Sequence, residues 1–353
     1  MSRPHTPRRA LRTGFTVAAA MALALVGAVV SAPSAAEATP MRPSDRGCVR
    51  TLPVGTSTMA VSFGSQSYDV IVHVPKAPKR KSLPLVVDLH GSNANGGMQA
   101  QISDLAAIAD KERFITVNPT GAIAFEHTLP GGNWAWNVPG VPLTSGTYPP
   151  EGSRDDVAFL RAVVEQVDAA GCVNDRRVYA TGFSGGGRMA SALACEASDV
   201  FAAIAPVAGL RAGTPNVEDL TGPVPGSCDP EYPVAVATFH GDADFVNPYL
   251  GNEDPRWGYT VMTAAEEWAD LNGCRVGPRQ SQYSDEVTAL AWKGCDKRAD
   301  VVLYEVAGGG HTWPGTSVDL SFLGYTTQEI SASQAMWDFF SAHPRIGALP
   351  RNH

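Results

Sequence analysis

A serine flanked by glycines, Gly182-Phe183-Ser184-Gly185-Gly186, follows an apolar run at 178–180 and precedes a stretch of helical periodicity at 186–197. A serine hydroxyl is a weak nucleophile until a sharp strand-to-helix turn exposes its Oγ and a neighbouring base takes its proton. Glycines suit such a turn because a Cβ there would meet the surrounding backbone. The five-residue match is common by chance, and the flanking strand and helix make it specific. The chemistry it predicts is acyl transfer. A histidine would act as base, and a carboxylate would fix the tautomer of that histidine.

Both partners are expected after Ser184, each on a loop that leaves a strand. Beyond the N-terminal leader the histidines are His73, His90, His127, His240, His311, His343 and His353. Only His240 and His311 follow Ser184 and stand just past apolar runs, at 235–239 and 301–304. His311 lies in Gly308-Gly309-Gly310-His311-Thr312-Trp313-Pro314-Gly315, a glycine stretch ending in a rigid turn, and is the expected base. His343 and His353 are read as solvated bystanders. The acid is expected in the loop after 235–239, where Asp242 and Asp244 both qualify and spacing does not choose between them. Two backbone N–H groups must receive the oxyanion: Gly185, next to the nucleophile, and Ser92 of His90-Gly91-Ser92-Asn93, after the apolar run at 85–89. This chemistry requires no metal and no organic cofactor.

The elements that must hold these residues alternate between strand and helix. Apolar alternation at 58–63 and 68–74, separated by the polar residues 64–67, predicts a β-hairpin near the N-terminus. Short apolar runs at 85–89, 114–117, 178–180, 202–207, 235–239 and 301–304 predict strands buried on both faces of a parallel sheet. Between them, 98–112, 155–169, 186–197, 260–271 and 331–342 carry helical periodicity. Alternation of this kind predicts an α/β fold, a mostly parallel sheet with helices on both faces. Two long irregular inserts, 119–152 and 209–233, are expected to act as lids or binding loops. In the first, Trp134 and Trp136 can offer flat aromatic faces to a substrate, as can Trp313 beside the expected base.

The chain has 353 residues, 27 basic and 35 acidic, for a formal charge of −8. Arg3, Arg8, Arg9 and Arg12 precede an uncharged Ala-, Val- and Leu-rich run at 14–36. A basic start, a short apolar core and small residues read as a secretory signal peptide over 1–38, cleaved after Ala38 or, alternatively, Ala36. Arg8-Arg9 leaves both the general and the twin-arginine export routes open. The remainder, 39–353, is expected to be one catalytic domain, secreted, extracellular and monomeric. Its acidity argues against nucleic acid or an anionic membrane as partner. Cys48, Cys172, Cys195, Cys228, Cys274 and Cys295 all lie beyond the leader with no C-x-x-C spacing, which points to disulfides and away from zinc or a dithiol centre.

The chain resembles the secreted feruloyl esterase and polyhydroxybutyrate depolymerase family of α/β-hydrolases. The likeness rests on His90-Gly91-Ser92, Asp155-Asp156-Val157-Ala158-Phe159-Leu160, the segment 177–187, His240-Gly241-x-x-Asp244 and 309–315. The resemblance implies the α/β-hydrolase fold and carries the acid role onto Asp244, leaving Asp242 structural. It departs from the family at Asn247, an extra residue in Val246-Asn247-Pro248-Tyr249. The family pattern also implies a Cys274–Cys295 disulfide. Cys195 can reach Cys228 across the second insert, and Cys48 then pairs with Cys172 by elimination. The activity implied is release of ferulic or related hydroxycinnamic acids from plant cell-wall esters. The alternatives are a polyhydroxybutyrate-type polyester depolymerase and a catalytically silent binding protein of the same fold.

Overall fold

The computed structural model describes residues 48–125 and 131–347. The expected leader, His127 and His353 lie outside the described residues. Strands β1 (Gly55–Phe63) and β2 (Gln66–Val74) form the N-terminal hairpin, with Gly55 opposite Val74 and Phe63 opposite Gln66. Its turn is Gly64-Ser65 alone, shorter than the polar run suggested, because Gly64 at φ 59° supplies the left-handed conformation a two-residue turn needs.

Next come β3 (Leu83–Leu89), helices α1 (Gly96–Ser103) and α2 (Leu105–Glu112), β4 (Ile115–Asn118) and a short pair, β5 (Ile123–Ala124) with β6 (Trp134–Ala135). The chain continues through α3 (Asp156–Gly171), β7 (Val173–Phe183), α4 (Gly185–Glu196), β8 (Ala203–Val207) and β9 (Ala235–Gly241). It ends with α5 (Val261–Leu271), β10 (Val276–Gln282), β11 (Val287–Lys293), β12 (Val301–Val306) and α6 (Ala332–Ala342). Ten strands make one sheet in the order β1-β2-β4-β3-β7-β8-β9-β12-β11-β10. The six from β4 to β12 run parallel, and antiparallel pairs flank them.

Side-chain alternation sends each central strand into two cores. Leu85, Val87, Val178, Ala180, Ile204 and Val236 pack with Val163 and Val167 of α3, Met189 and Leu193 of α4, and Trp268 of α5. Val86, Tyr179, Ala205, Val207 and Phe239 pack on the opposite face with Leu105 and Ala109 of α2 and Met336 and Phe340 of α6. A buried Val or Leu is worth about 1.5–3 kcal/mol relative to exposure, so two filled faces hold the strand ends rigidly. Side-chain oxygens of Asn95, Asp155, Thr260 and Ser331 accept backbone N–H groups at the starts of α1, α3, α5 and α6.

Two features differ from expectation. The single helix expected over 98–112 is two, broken at Asp104, whose φ of 45° is left-handed. The edge pair β10 and β11 extends the sheet where no strand was expected, because β10 (VGPRQSQ) is exposed throughout and lacks an apolar face. Disulfides join Cys48 to Cys172, Cys195 to Cys228 and Cys274 to Cys295. Among the described residues, no helix is long and apolar enough to cross a membrane.

Candidate active site

Four of the parallel strands, β3, β7, β9 and β12, deliver His90, Ser184, Asp244 and His311 just beyond their carboxyl ends. Helices cover both faces of this sheet, so only these ends open toward loops, where such folds place ligands. Ser184 has φ 55° and ψ −112°, strained for a residue with a Cβ, and caps α4 without spending its side chain on a capping hydrogen bond. Its N–H donates to Val207 O at 2.9 Å, which pins the turn to β8. Gly186 is required sterically, since a Cβ there would stand 2.1 Å from Leu89 O.

The turn 90–92 lies directly against this elbow. A Cβ on Gly91 would be 3.5 Å from Ser184 Cβ, and one on Gly185 would be 2.9 Å from Ser92 N. The Gly185 and Ser92 amides therefore lie side by side next to the serine. Gly185 is the first residue of α4, ahead of the first intrahelical donor, Arg188 N, so its N–H is not used by the helix. The positive end of the helix dipole adds to the field there.

His90 is buried and serves the turn. Nδ1 donates to Gly91 O at 2.7 Å, and Nε2 accepts from Gly121 N at 2.9 Å. Burial pushes its pKa down to about 4, so it stays neutral at physiological pH. Trp136 packs on the His90 ring with centroids 4.8 Å apart, and its Nε1 donates to His90 O at 2.8 Å. The next residues are braced by the insert, with Asn93 N donating to Trp134 O at 2.9 Å and Asn133 Nδ2 to Asn93 Oδ1 at 2.9 Å.

His311 Nδ1 donates to Asp244 Oδ2 at 2.7 Å. A carboxylate only accepts, so the proton sits on Nδ1 and Nε2 carries the lone pair. The His311 ring packs against Phe183, the residue before the serine, with centroids 4.9 Å apart. Burial lowers the His311 pKa and outweighs the nearby carboxylate, which raises it, so the imidazole is neutral and basic near pH 7. Asp244 is equally constrained. Oδ1 accepts from Val246 N and Asn247 N, both at 2.8 Å, and His240 Nε2 lies 3.3 Å from Oδ2. Burial alone would raise the Asp244 pKa, yet the hydrogen bonds from His240 and His311 hold the carboxyl well below the usual carboxylate range. Asp242 takes another place: it is exposed, and its Oδ1 accepts from Gly308 N at 2.6 Å, tying the acid loop to the loop that carries His311.

Residues 67–218 match the family model described as Esterase PHB depolymerase. The chain carries an Esterase PHB depolymerase domain. Over 336 residues the esterase is 29% identical to "Putative esterase NocK" of Nocardia uniformis, covering 88% of this chain and 89% of that protein. It is 30% identical over 238 residues to feruloyl esterase B of Piromyces equi, covering 65% of this chain and 40% of that enzyme. It is 30% identical over 191 residues to feruloyl esterase C of Emericella nidulans, covering 53% of this chain and 58% of that enzyme. The esterase thus spans about half the length of these two feruloyl esterases. A solved structure described as sOPH in its native form superposes with a TM-score of 0.50 at 16% identity, over 86% of this chain and 92% of that one, which establishes the α/β-hydrolase fold. Family and relatives make the chain a carboxylic-ester hydrolase.

Two of the three expected substrate-facing tryptophans are corrected. Trp136 is 3% exposed and Trp313 1% exposed, with the Nε1 of Trp313 donating to Ser333 Oγ at 3.0 Å. Both are core residues with no open face to stack on. Only Trp134 is partly exposed. Sequence reasoning missed the support given to Asp244 by His240 and the buried carboxyl of Asp88 near the end of β3. The second had a visible signal, an acid inside the otherwise apolar run Leu83–Leu89.

Proposed function

We propose that the esterase is secreted and releases ferulic or related hydroxycinnamic acids from plant cell-wall esters by double displacement. The observation that carries this reading is the buried His311–Asp244 contact of 2.7 Å on loops beside the strained Ser184 elbow. Ser184 Oγ attacks the ester carbonyl carbon while its proton passes to His311 Nε2. Asp244 holds the resulting imidazolium, and Gly185 N–H and Ser92 N–H receive the oxyanion. The alkoxide leaves with the proton from His311. Water, deprotonated by the same imidazole, then hydrolyses the acyl-serine and frees the acid. Trp134, partly exposed in the insert that braces Asn93, would add aromatic surface for a planar phenolic acid. The signal-like segment at 1–38 and the three disulfides support export, and 39–353 would be the catalytic domain. Two relatives named feruloyl esterase support the substrate class.

A polyester depolymerase is the second reading, and one feature favours it. Phe245, Leu250, Phe322 and Tyr325, on the loops that carry Asp244 and His311, are 64%, 81%, 73% and 49% exposed, as suits contact with an apolar polymer. Parallel assays on methyl ferulate, arabinoxylan and a polyhydroxybutyrate film separate the two. Ferulate release with negligible film clearing is expected, and the reverse would replace the first reading by the second. Ser184→Ala should abolish turnover of whichever substrate is cleaved, a loss of roughly 10⁶ in kcat.

A further inference from the structure

Beside α4 the protein buries two arginines with no carboxylate at hydrogen-bonding distance among the described residues. Arg188, one helical turn after Ser184, is 7% exposed, and Arg211, on the loop after β8, is 3% exposed. Arg188 donates from Nη1 to Arg256 O at 3.1 Å, but its Nε has no hydrogen-bond acceptor among the described residues. In Arg211 the side-chain nitrogens Nε, Nη1 and Nη2 are all buried without one. Asp254 lies close enough to act on the Arg188 charge, but it is paired with Arg256.

The Arg211 backbone is fixed, with its N–H donating to Ser191 Oγ at 3.0 Å and its carbonyl accepting from Trp268 Nε1 at 2.8 Å. Its guanidinium lies 3.1 Å above the Trp257 ring and 4.5 Å from the Tyr259 ring. Stacking satisfies the faces of a guanidinium and leaves its edge N–H groups wanting acceptors. The Tyr259 hydroxyl accepts from Ala212 N at 2.9 Å and donates to Gly213 O at 3.1 Å, so its one remaining lone pair can meet at most one Arg211 N–H. Arg188 and Arg211 also lie close enough to repel one another.

Both arginines line one cavity of about 30 Å³, walled by Val138, Val141, Ser191 and Thr214, with the exposed Glu196 at its edge. A water needs about 10–15 Å³ on the same measure, so the space takes one small ion and excludes an aromatic acid. Two buried like charges with four unmet donors cost several kcal/mol each unless a counter-charge neutralises them. We propose that Arg188 and Arg211 form a buried site for one monovalent anion of halide size. The ion would accept from the edge N–H groups of both guanidiniums and cancel their repulsion. It would be a structural anion in a cavity that Val138 and Val141 also line and the exposed Glu196 borders.

Bromide is the probe. In crystals of the full chain soaked in sodium bromide, an anomalous peak is expected between the two guanidiniums, within about 3.5 Å of nitrogens from each. In solution, bromide or chloride should raise Tm by several degrees over gluconate at equal ionic strength. Arg211→Met should erase that halide dependence. The soak needs no variant, so it decides even if Arg211→Met does not fold. Absence of the peak, or equal melting in bromide and gluconate, overturns the proposal.

Discussion

Asp88 and Asp244 are both carboxylates buried at the carboxyl ends of parallel strands, 0% and 3% exposed, and both are ringed by donors. Their states are opposite. Asp88 accepts from Gln99 Nε2 at 2.7 Å, Ser103 Oγ at 2.6 Å and Asn118 Nδ2 at 2.8 Å, all neutral side chains. Burial outweighs these bonds and pushes its pKa up to about 7. Asp244 gains two backbone amides and two imidazoles, one of which would become a cation in the proposed acyl transfer, and it stays ionised. Hydrogen-bond number does not distinguish the two sites. What matters is whether the donors can carry charge and whether backbone N–H groups point at the oxygen. In the proposed mechanism Asp244 meets a developing imidazolium, whereas the Asp88 carboxyl ties the end of β3 to α1 and β4.

The largest test of this contrast is amide substitution at each aspartate. Asp244→Asn should lower kcat by ~10⁴, because an asparagine can present an N–H to His311 and favour the wrong tautomer. Asp242→Asn, which keeps an acceptor for Gly308 N, should lose less than about tenfold. Steady-state kinetics on methyl ferulate or a nitrophenyl ester would measure both. A reversal of the two ranks would move the acid role to Asp242.

Asp88→Asn should act on stability and leave kcat within about tenfold. The folded-state pKa of Asp88 lies above the unfolded value, so the folded protein holds the extra proton between about pH 3.8 and 7. Its contribution therefore declines as pH rises through that window, by on the order of 4 kcal/mol at the full shift. Asparagine does not titrate. The variant should be less stable than the parent near pH 5 and should close the gap or overtake it near pH 8. Urea unfolding at the two pH values gives the slope, and an unchanged slope would mean that Asp88 is already ionised.

His311 sharpens the comparison from the other side. Its pKa is lowered on folding, so the base stays neutral below the usual histidine value. The acid limb of kcat/KM is expected below pH 6.5. The unfolded chain takes up the proton more readily, so this residue's linkage lowers stability as pH falls through about 6.5. A limb at or above pH 7 would show that Asp244 outweighs burial.

The parallel strands and the five helical periods were legible because both depend on apolar spacing, which a sequence displays directly. So was the elbow, since few turns other than a nucleophile turn combine Gly182, Ser184 and Gly186 between a strand and a helix. What failed depended on contacts. The break at Asp104 lies next to Ser103, whose hydroxyl is drawn to Asp88, a tertiary contact with no mark in local periodicity. A tryptophan in a core and one at a rim look alike in sequence, which is why Trp136 and Trp313 were misplaced. Asn247, an oddity when read against the family pattern, is built into the acid: its N–H donates to Asp244, its carbonyl accepts from His240, and its side chain donates to Ala208 O at 2.7 Å.

The smallest expected effect comes from removing one neutral donor. Ser103→Ala deletes the 2.6 Å bond to Asp88 Oδ2 and leaves those from Gln99 and Asn118. Below pH 4, where Asp88 is protonated in both states, the cost should be that of one hydrogen bond, about 1 kcal/mol. At higher pH the ionised form has lost a donor, so the folded-state pKa should move further above 7 and carry the declining part of the stability curve with it. Turnover should be unchanged within about twofold, since Ser103 lies at the end of α1 and the Ser92 amide is held through His90, Gly121 and Trp136. A fall in kcat larger than tenfold at constant stability would show that the buried carboxyl positions the oxyanion turn through its charge, and that the two aspartates work as one system.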